Sequence, residues 1–318
     1  MNYFVTGGAG FIGSSLADEL AAKPGNQIII YDNMSTGMHE FLESLKQKEN
    51  VKVIFGDVLD ERLLLESMKG IDFVFHFSAN ADVRFGPDHP KRDLEQNTIA
   101  THNVLEAMRL NGVKKIAFSS TGSVYGEAPV IPTPEDCPFP VQTSLYASSK
   151  LAGEGLISSY CEAFGFTGYI FRFVSILGER YTHGHVFDFY RQLMNDPLKL
   201  KVLGNGKQRK SYLYIKDCIN AIFTVIDNAS DKVNIYNLGT DEYCEVNNSI
   251  AWMSEYMGID PKLTYTGGER GWVGDNPFIF LDCKKLKDLG WKAELSIKES
   301  VIKTVQYIEN NTWIYEKR

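Results

Sequence analysis

Short apolar runs and amphipathic stretches alternate along the first half of the chain. The amphipathic stretches place apolar residues at helical spacing and predict helices over residues 11–22, 62–68 and 94–111. The apolar runs predict strands over residues 3–6, 27–31, 51–55, 73–77 and 115–119. Strand and helix alternating at this spacing indicate right-handed crossover connections and a parallel sheet with helices on both faces.

The second half begins with a long predicted helix over residues 144–164, and a sixth predicted strand follows over residues 169–174. Beyond Leu177 the alternation is less regular. The elements predicted there are strands over residues 212–215 and 234–237 and helices over residues 247–257 and 297–310.

This change of pattern predicts an α/β protein with two unequal parts. Residues 1–174 are predicted to form a doubly wound parallel sheet of the Rossmann type, and a later strand from about residues 210–240 returns to it. Residues 175–318 are predicted to form a smaller, mixed α/β lobe that binds substrate over the carboxyl ends of the main sheet.

A glycine-rich segment lies between the first predicted strand and the first predicted helix. Gly7, Gly10 and Gly13 permit a tight turn, close approach of the backbone to a pyrophosphate, and close contact of helix and sheet. Phe11 and Ile12 begin the helix, whose free N–H groups attract phosphate. A purely structural turn uses the same residues, but the strand before and the helix after favour a dinucleotide site.

Acidic residues follow the second and third predicted strands. Asp32 comes 19 residues after Gly13, where its side chain is placed to accept hydrogen bonds from both ribose hydroxyls and to repel a 2′-phosphate. This position favours NAD over NADP, although Asp32 is also a plausible turn residue before Asn33. Asp57 is a candidate for the adenine edge, and a solvated turn is the alternative for it.

Tyr146 and Lys150 stand four residues apart in the long predicted helix. Their Cβ atoms then lie on one face about 5–6 Å apart. A neighbouring cation favours the phenolate, so we expect the tyrosine pKa to fall from about 10 towards that of a general base. Tyr212 and Lys216 have the same spacing, but in a strand four residues span roughly 13 Å, which leaves them uncoupled.

Hydroxyl side chains close the fifth predicted strand, at Ser119, Ser120 and Thr121. They point into the crevice where open α/β sheets bind ligands, so Thr121 is a candidate to hydrogen-bond the substrate oxygen. Capping of the strand end is the alternative. His183 and His185 have no acidic cluster nearby in the sequence, so we expect surface histidines and no metal site.

Composition restricts the class of protein further. The 40 acidic and 33 basic residues give a net charge of −7, which argues against a nucleic-acid-coating or anionic-membrane protein. No stretch reaches 18 apolar residues, so no membrane span is predicted. Five scattered cysteines indicate reduced thiols, and together with the absence of a signal-like N-terminus they predict a cytoplasmic protein.

Four motifs taken together carry a resemblance to a known family. They are Gly7-x-x-Gly10-x-x-Gly13, Asp32-Asn33, Ser119-Ser120-Thr121 and Tyr146-x-x-x-Lys150. The combination resembles the extended short-chain dehydrogenase/reductase family, and within it the nucleotide-sugar epimerases of the UDP-glucose 4-epimerase type. The resemblance covers essentially the whole chain.

The resemblance implies an NAD-dependent epimerase that oxidises C4 of a nucleotide sugar and returns hydride to the opposite face of a 4-keto intermediate. Tyr146 would be the base on the 4-hydroxyl, Thr121 its hydrogen-bonding partner, and Lys150 the residue that modifies the pKa and holds the nicotinamide ribose. The resemblance also implies a homodimer that pairs the helices over residues 94–111 and 144–164.

The family pattern carries two further sets of contacts onto this sequence. For NAD they are Gly7, Gly10, Phe11, Ile12, Gly13, Asp32, Asn33, Ser35, Thr36, Gly37, Asp57, Val58, Phe77, Ser78, Ala79, Asn97, Ser119, Tyr146, Lys150 and Phe173. For the nucleotide sugar they are Thr121, Ser123, Ser175, Val202, Lys210, Arg270 and Asp275, with Arg270 as the clamp on the diphosphate.

Some positions depart from the patterns of relatives. The 4,6-dehydratases usually carry an Asp-Glu pair after the strand-five threonine, whereas this chain has Gly122 and Ser123, which disfavours dehydration. Ser175 replaces a usual asparagine, and Lys210 replaces a common arginine. These changes leave the sugar and the base open. A 2-epimerase or an oxidoreductase on the same scaffold is an alternative, and a non-catalytic NAD sensor a remote one.

Overall fold

The computed structural model describes residues 1–81, 83, 86–138 and 141–317. Contacts between residues divide the chain into two compact units. Unit 1 comprises Met1–Val124, Ser144–Arg172 and Val225–Tyr236, and unit 2 comprises Tyr125–Thr143, Phe173–Thr224 and Asn237–Arg318. The helices of the described residues include none that is long and apolar enough to cross a membrane.

Helices and strands alternate in the order that the sequence predicts. The first half of the chain forms β1 (Asn2–Thr6), α1 (Phe11–Ala22), β2 (Gln27–Asp32), α2 (Glu43–Lys46), β3 (Val51–Phe55), α3 (Glu61–Ser67), β4 (Phe73–His76), α4 (Pro90–Asp93), α5 (Ala100–Asn111), β5 (Lys115–Thr121) and α6 (Leu145–Phe164). Short 3₁₀ helices cover His39–Leu42 and Gly122–Tyr125, and a π-helical segment over Leu94–Ile99 joins α4 to α5.

The second half of the chain has more and shorter elements. They are β6 (Thr167–Phe173), β7 (Ser175–Leu177), α7 (His185–Asn195), β8 (Lys199–Val202), β9 (Arg209–Lys210), β10 (Tyr212–Tyr214), α8 (Ile215–Asn228), β11 (Val233–Leu238), β12 (Cys244–Glu245), α9 (Val246–Met257), β13 (Lys262–Tyr265), β14 (Phe278–Ile279), α10 (Lys284–Lys287), α11 (Ile297–Glu309) and α12 (Ile314–Lys317).

A seven-stranded sheet forms the centre of unit 1, with strand order β11-β6-β5-β4-β1-β2-β3. Parallel registers join β1 to β2 and to β4, as in Tyr3 opposite Ile28 and Phe73. The chain order reverses beside β1, where β2 lies on one side and β4 on the other. In doubly wound sheets ligands bind at the carboxyl ends of the strands at such a reversal. The predicted Rossmann-type α/β fold is confirmed.

The core of unit 1 lies between this sheet and three of its helices. Strand residues such as Phe4, Val74 and Ile116 pack against Leu64 of α3 and Val104 of α5, and α6 adds Ile157 and Cys161. All four residues of β4 are buried, as expected of a central parallel strand covered on both faces. The carboxyl ends of these strands are therefore rigidly held.

Helix α6 has well-defined ends. The Ser144 hydroxyl accepts a hydrogen bond from the Ala147 amide at 3.1 Å, and Gly165 ends the helix in the left-handed region with φ +66°. The helix therefore places Tyr146, Lys150 and Glu154 on one face, at successive intervals of four residues.

Unit 2 contains several small sheets with helices packed around them. Parallel pairs join β7 to β10 and β8 to β13, and β9 lies between β12 and β14. The Trp291 indole donates to the Asp217 carbonyl, while the Asp217 carboxylate accepts from the amides of Glu294 and Leu295. These bonds tie the start of α8 to the segment before α11.

Two glycines of α6 provide a matched test of this helix. A Cβ at Gly155 or at Gly165 would meet no atom within 4 Å, so only the backbone conformation distinguishes the two sites. We expect Gly155→Ala to raise the free energy of unfolding by about 0.4–1 kcal/mol, because alanine restricts the unfolded chain and favours helix. Gly165→Ala should lower it by about 1–2 kcal/mol, since φ is positive there. Urea unfolding followed by circular dichroism measures both, and equal effects of the two substitutions would contradict this account.

Candidate active site

The glycine-rich segment after β1 leaves no room for side chains at Gly7 and Gly13. A Cβ on Gly7 would lie 2.6 Å from the Ser78 amide nitrogen, and one on Gly13 would lie 2.2 Å from the Gly7 carbonyl oxygen. Gly10 is the N-cap residue of α1 and provides no side-chain cap, and the N-terminus of a helix attracts anions. This cradle fits the pyrophosphate of a dinucleotide.

Asp32 links the end of β2 to this loop. Its Oδ2 accepts a hydrogen bond from the Ala9 amide at 2.9 Å, and its Oδ1 accepts one from the Met34 amide at 2.8 Å. Burial raises the pKa of this carboxyl, and the two backbone hydrogen bonds oppose that shift. A carboxylate has further lone pairs, so Asp32 retains the capacity to accept from ribose hydroxyls.

Asn33 and Asp57 form a polar bridge between the segments that follow β2 and β3. The Asn33 Nδ2 donates to Asp57 Oδ2 at 2.8 Å, and the Asn33 Oδ1 accepts from the Ser35 amide at 2.9 Å. Asp57 Oδ1 accepts from the Leu59 amide, while Val58 is buried. Asp57 is thus engaged within the chain, as the turn interpretation expects. Nearby, Ser35 and Thr36 are exposed and Gly37 is partly buried.

The loop that contains Phe77, Ser78 and Ala79 follows β4 and is held by Thr6. The Thr6 Oγ1 accepts from the amides of Phe77 and Ser78, both at 3.2 Å. It also lies 2.9 Å from Nδ1 of His76, whose Nε2 lies 3.0 Å from the Thr101 hydroxyl. His76 is fully buried, which lowers its pKa to about 3 and keeps it neutral. No motif in the sequence marks this histidine.

Asn97 connects the π-helical segment to α6 and to the β4 loop. Its Oδ1 accepts from the Asn80 amide at 2.8 Å, and its Nδ2 donates to the Ser149 hydroxyl at 2.9 Å. Asp93, also buried, accepts from the Asn80 side chain at 2.8 Å. The side-chain amide of Asn97 therefore joins the loop after β4 to α6, the helix that carries Tyr146.

The Tyr146 phenol lies beside the Thr121 side chain at the end of β5. Thr121 Oγ1 also accepts from the Ser123 amide at 3.1 Å, which orients the hydroxyl at the end of β5. Burial raises the Tyr146 pKa to about 12, while the Thr121 hydrogen bond opposes the shift and Asp93 adds to it.

We predicted that Lys150 lowers the pKa of the Tyr146 phenol. In the structure that pKa is raised, so the prediction is wrong. The Lys150 Nζ donates to the Ser119 carbonyl at 2.7 Å and lies 4.7 Å from the centre of the Phe118 ring. Lys150 is 2% exposed, and burial lowers its pKa to about 7. Helical spacing brings the two Cβ atoms together, but the ammonium is directed at β5.

A buried ion pair lies one turn further along α6. Arg172 of β6 binds the Glu154 carboxylate with two hydrogen bonds, from Nε to Oε1 at 3.0 Å and from Nη2 to Oε2 at 2.7 Å. The Ser120 hydroxyl makes a short hydrogen bond to the same Oε1. The sequence analysis missed this pair; the spacing of 146, 150 and 154 along one helix face was the available signal.

The residues predicted to bind the nucleotide sugar lie mostly in unit 2, where two of them pair. The Lys210 Nζ donates to Asp275 Oδ1 at 2.7 Å and to the Asn276 carbonyl, and Asp275 Oδ2 accepts from the Gly271 amide at 3.0 Å. Arg270 is exposed and forms an ion pair with Glu127.

The remaining predicted substrate residues differ in exposure. Val202 is fully buried and its carbonyl accepts from the Thr266 amide at 3.0 Å, whereas Ser175 is exposed. Ser123 of unit 1 is partly buried, and Phe173, predicted to contact the cofactor, is buried at the end of β6.

The histidines and the second tyrosine–lysine pair carry no sign of separate chemistry. His183 is exposed, but His185 is partly buried with its ring 4.8 Å from that of Tyr212, so the surface prediction is wrong for His185. Helix α8 begins at Ile215, which places Lys216 in a helix and not in the predicted strand. Among the described residues no cluster of three or more His, Cys, Asp or Glu side chains is arranged to hold a metal ion.

Comparison with known proteins agrees with this geometry. The UDP-glucose 4-epimerase of Mycolicibacterium smegmatis is 28% identical over 98% of this chain and 100% of that protein. A crystal structure of a UDP-galactose 4-epimerase has a TM-score of 0.88 and 33% identity, and covers 98% of this chain and all of that one. The dTDP-D-glucose 4,6-dehydratase of Mus musculus is 30% identical over 96% of this chain and 88% of that protein.

A family model matches most of the chain as well, over residues 3–239, and its description is NAD dependent epimerase/dehydratase family. The match confirms the expected relationship to the extended short-chain dehydrogenase/reductases, the prediction of an NAD-dependent epimerase, and NAD as the cofactor. The glycine cradle and Asp32 are the features of this structure that fit NAD. The chain therefore belongs to the NAD dependent epimerase/dehydratase family.

Proposed function

We propose that this enzyme is a UDP-sugar 4-epimerase that interconverts UDP-glucose and UDP-galactose through a 4-keto intermediate. The observation that carries the proposal is the Tyr146 phenol beside Thr121 at the end of β5, with Lys150 on the same helix face. The two epimerases compared above act, by their names, on sugars of this kind.

Tyr146 takes the proton of the sugar 4-hydroxyl in this proposal, and Thr121 orients the same oxygen. When bound, NAD supplies the hydride acceptor and donor, so the protein provides the base, the orientation and the exclusion of water. A phenol with a pKa of about 12 needs a positive charge nearby to act at neutral pH. The proposal assigns that charge to Lys150, whose ammonium donates to the Ser119 carbonyl in the chain alone and has to act on the phenol when the ligands are bound.

The diphosphate of the substrate is assigned in this proposal to unit 2. Arg270 is an exposed guanidinium on the loop that also carries Asp275, and a planar fork suits a phosphate. Both cations are ion-paired, Lys210 with Asp275 and Arg270 with Glu127, but the Arg270 side chain is 44% exposed and that of Lys210 only 14%. We assign the clamp to Arg270 on this basis.

Dehydration is the alternative raised by the relative from mouse. It requires an acid and a base that remove water from the 4-keto sugar. Gly122 and Ser123 stand directly after Thr121, Gly122 is buried, and neither has a group that titrates near neutral pH. Epimerisation is therefore favoured over dehydration.

We also propose a homodimer in the cytoplasm. The π-helical segment, α5 and α6 expose large apolar side chains, and a second copy of the chain is the partner proposed for them; these are Leu94, Ile99, Leu110, Leu145 and Phe164. All five cysteines are buried and free, in keeping with a reducing compartment.

Tyr146→Phe tests the assigned base. Removal of the hydroxyl eliminates proton transfer, so kcat for conversion of UDP-galactose to UDP-glucose without added reductant should fall by about 10²–10⁴-fold while NAD stays bound. Tyr214→Phe, which removes a hydroxyl bonded to Glu179 in unit 2, is the matched control and should keep its rate. A Tyr146→Phe enzyme with near-normal turnover would refute the assignment of Tyr146 as the base.

The nucleotide of the substrate is tested separately with the wild-type enzyme. Conversion of a CDP- or GDP-sugar with no change in any UDP-hexose would refute the UDP assignment.

Arg270→Ala tests the diphosphate clamp. Loss of charged hydrogen bonds should raise KM for the UDP-sugar by about 10- to 100-fold with a smaller change in kcat. The increase in melting temperature on adding UDP should shrink in the same variant. Arg191→Ala removes another exposed arginine of unit 2 and should leave both quantities unchanged. Equal KM values for the two variants would place the diphosphate elsewhere.

Leu110→Glu tests the proposed dimer. The buried carboxylates would oppose association, so light scattering after size exclusion should show the wild-type dimer shifted towards monomer. Leu198→Glu changes an even more exposed leucine of unit 2 and should remain dimeric. A wild-type monomer at micromolar concentration would exclude the proposed dimer.

A further inference from the structure

Lys150 is part of a network of buried charges. The network includes Asp93, Glu154 and Arg172, each at most 4% exposed. Charged groups are seldom buried without partners, because desolvation penalises the charged form. Two cations and two anions give the network no net charge.

The surroundings of Lys150 are defined on every element that packs near its ammonium. The groups that face it are Tyr146 and Glu154 on α6, the Ser119 carbonyl and the Phe118 ring on β5, His76 on β4, Asp93 on α4 and, through Glu154, Arg172 on β6. His76 is neutral, so the two carboxylates are the negatively charged members of this set that favour a charged Lys150, beside the Ser119 carbonyl and the Phe118 ring.

Glu154 is the more important of the two carboxylates. Burial lowers the Lys150 pKa to about 7, and Glu154 opposes this shift more strongly than Asp93 does. The ammonium is therefore close to losing its proton at neutral pH, and the carboxylate one helical turn away limits that loss. A small change in the field at Glu154 would change the fraction of charged Lys150 considerably.

Glu154 is also fixed in place from two strands. Arg172 of β6 holds both of its oxygens, and the Ser120 hydroxyl of β5 binds Oε1. Ser120 lies between Ser119, whose carbonyl accepts from Lys150, and Thr121, whose hydroxyl meets Tyr146. The Glu154 carboxylate thus connects α6 to the end of β5, where Thr121 is predicted to bind the substrate oxygen.

We infer that Glu154 is a positioning residue for the reaction: held by Arg172 and Ser120, it fixes the end of β5 against α6 and places a negative charge one helical turn from the buried Lys150 ammonium. The part that concerns turnover rests on the proposed function. The part that concerns the charge of Lys150 does not, and it can be measured without any substrate.

Glu154→Gln is the direct test, because it preserves shape and removes one charge. The Lys150 titration is followed by NMR of protein labelled with ¹³Cε-lysine, with Lys150→Met to assign the signal. We expect the Lys150 pKa to fall by about 1 or more in Glu154→Gln. The alkaline limb of the kcat profile should move to lower pH by a similar amount.

Two further variants separate this role from a merely structural one. Arg172→Lys keeps the charges of both residue 172 and Glu154 but loses the bidentate hydrogen bonding. The melting temperature of this variant should therefore fall, while the Lys150 pKa stays near the wild-type value. Glu154→Met/Arg172→Met removes the pair without leaving an unpaired charge, so it should fold even where Glu154→Gln does not. The Lys150 pKa should still be lowered in that double variant.

An unchanged Lys150 pKa in both folded variants that lack Glu154 would overturn the inference. So would an equal fall in Arg172→Lys, because the effect would then come from lost packing and not from the carboxylate. A shifted Lys150 pKa in a protein that converts no nucleotide sugar would leave the inference standing and refute the proposed function. If the wild-type enzyme converts the nucleotide sugar but the Lys150 pKa does not shift in the variants, the proposed function stands and the inference is refuted.

Discussion

The hydrogen bond from Lys150 to the Ser119 carbonyl determines how the centre of unit 1 is built. A lysine that is 2% exposed needs an acceptor and compensating negative charge, and the chain supplies both from neighbouring elements. The carbonyl belongs to β5, so the bond places the face of α6 that carries Tyr146 against the strand end that carries Thr121. Satisfying one buried ammonium thus brings the tyrosine and the threonine together.

The elements of this unit follow from local patterns. Apolar runs in the first half become β1 to β5, because short runs flanked by turns suit buried parallel strands. The glycine loop was predictable because its requirement is local: Gly7 and Gly13 each exclude a Cβ through atoms near the same turn or the next loop. Tyr146 and Thr121 were predictable for a different reason, since the carboxyl ends of parallel strands share one edge.

The sequence did not predict which buried polar side chains bind each other. His76 interacts with Thr6 and Thr101, which are 70 and 25 residues away, and Arg172 reaches back 18 residues to Glu154. Such pairs are created by packing, and no spacing in the chain announces them. The pKa of Tyr146 could not be predicted from the sequence for the same reason. Spacing placed the two Cβ atoms on one face, but the direction of the ammonium depended on a carbonyl of another element, and burial then raised the pKa of the phenol.

Asp32 has a consequence for any attempt to change the preference of the enzyme between nicotinamide cofactors. Its two oxygens close the glycine loop onto the segment after β2, through the amides of Ala9 and Met34. A substitution that admits a 2′-phosphate would remove these bonds and release the loop that carries the pyrophosphate cradle. We predicted from the sequence that Asp32 selects NAD, and the same side chain holds the glycine loop, so engineering of the cofactor preference at this position has to rebuild the loop contacts.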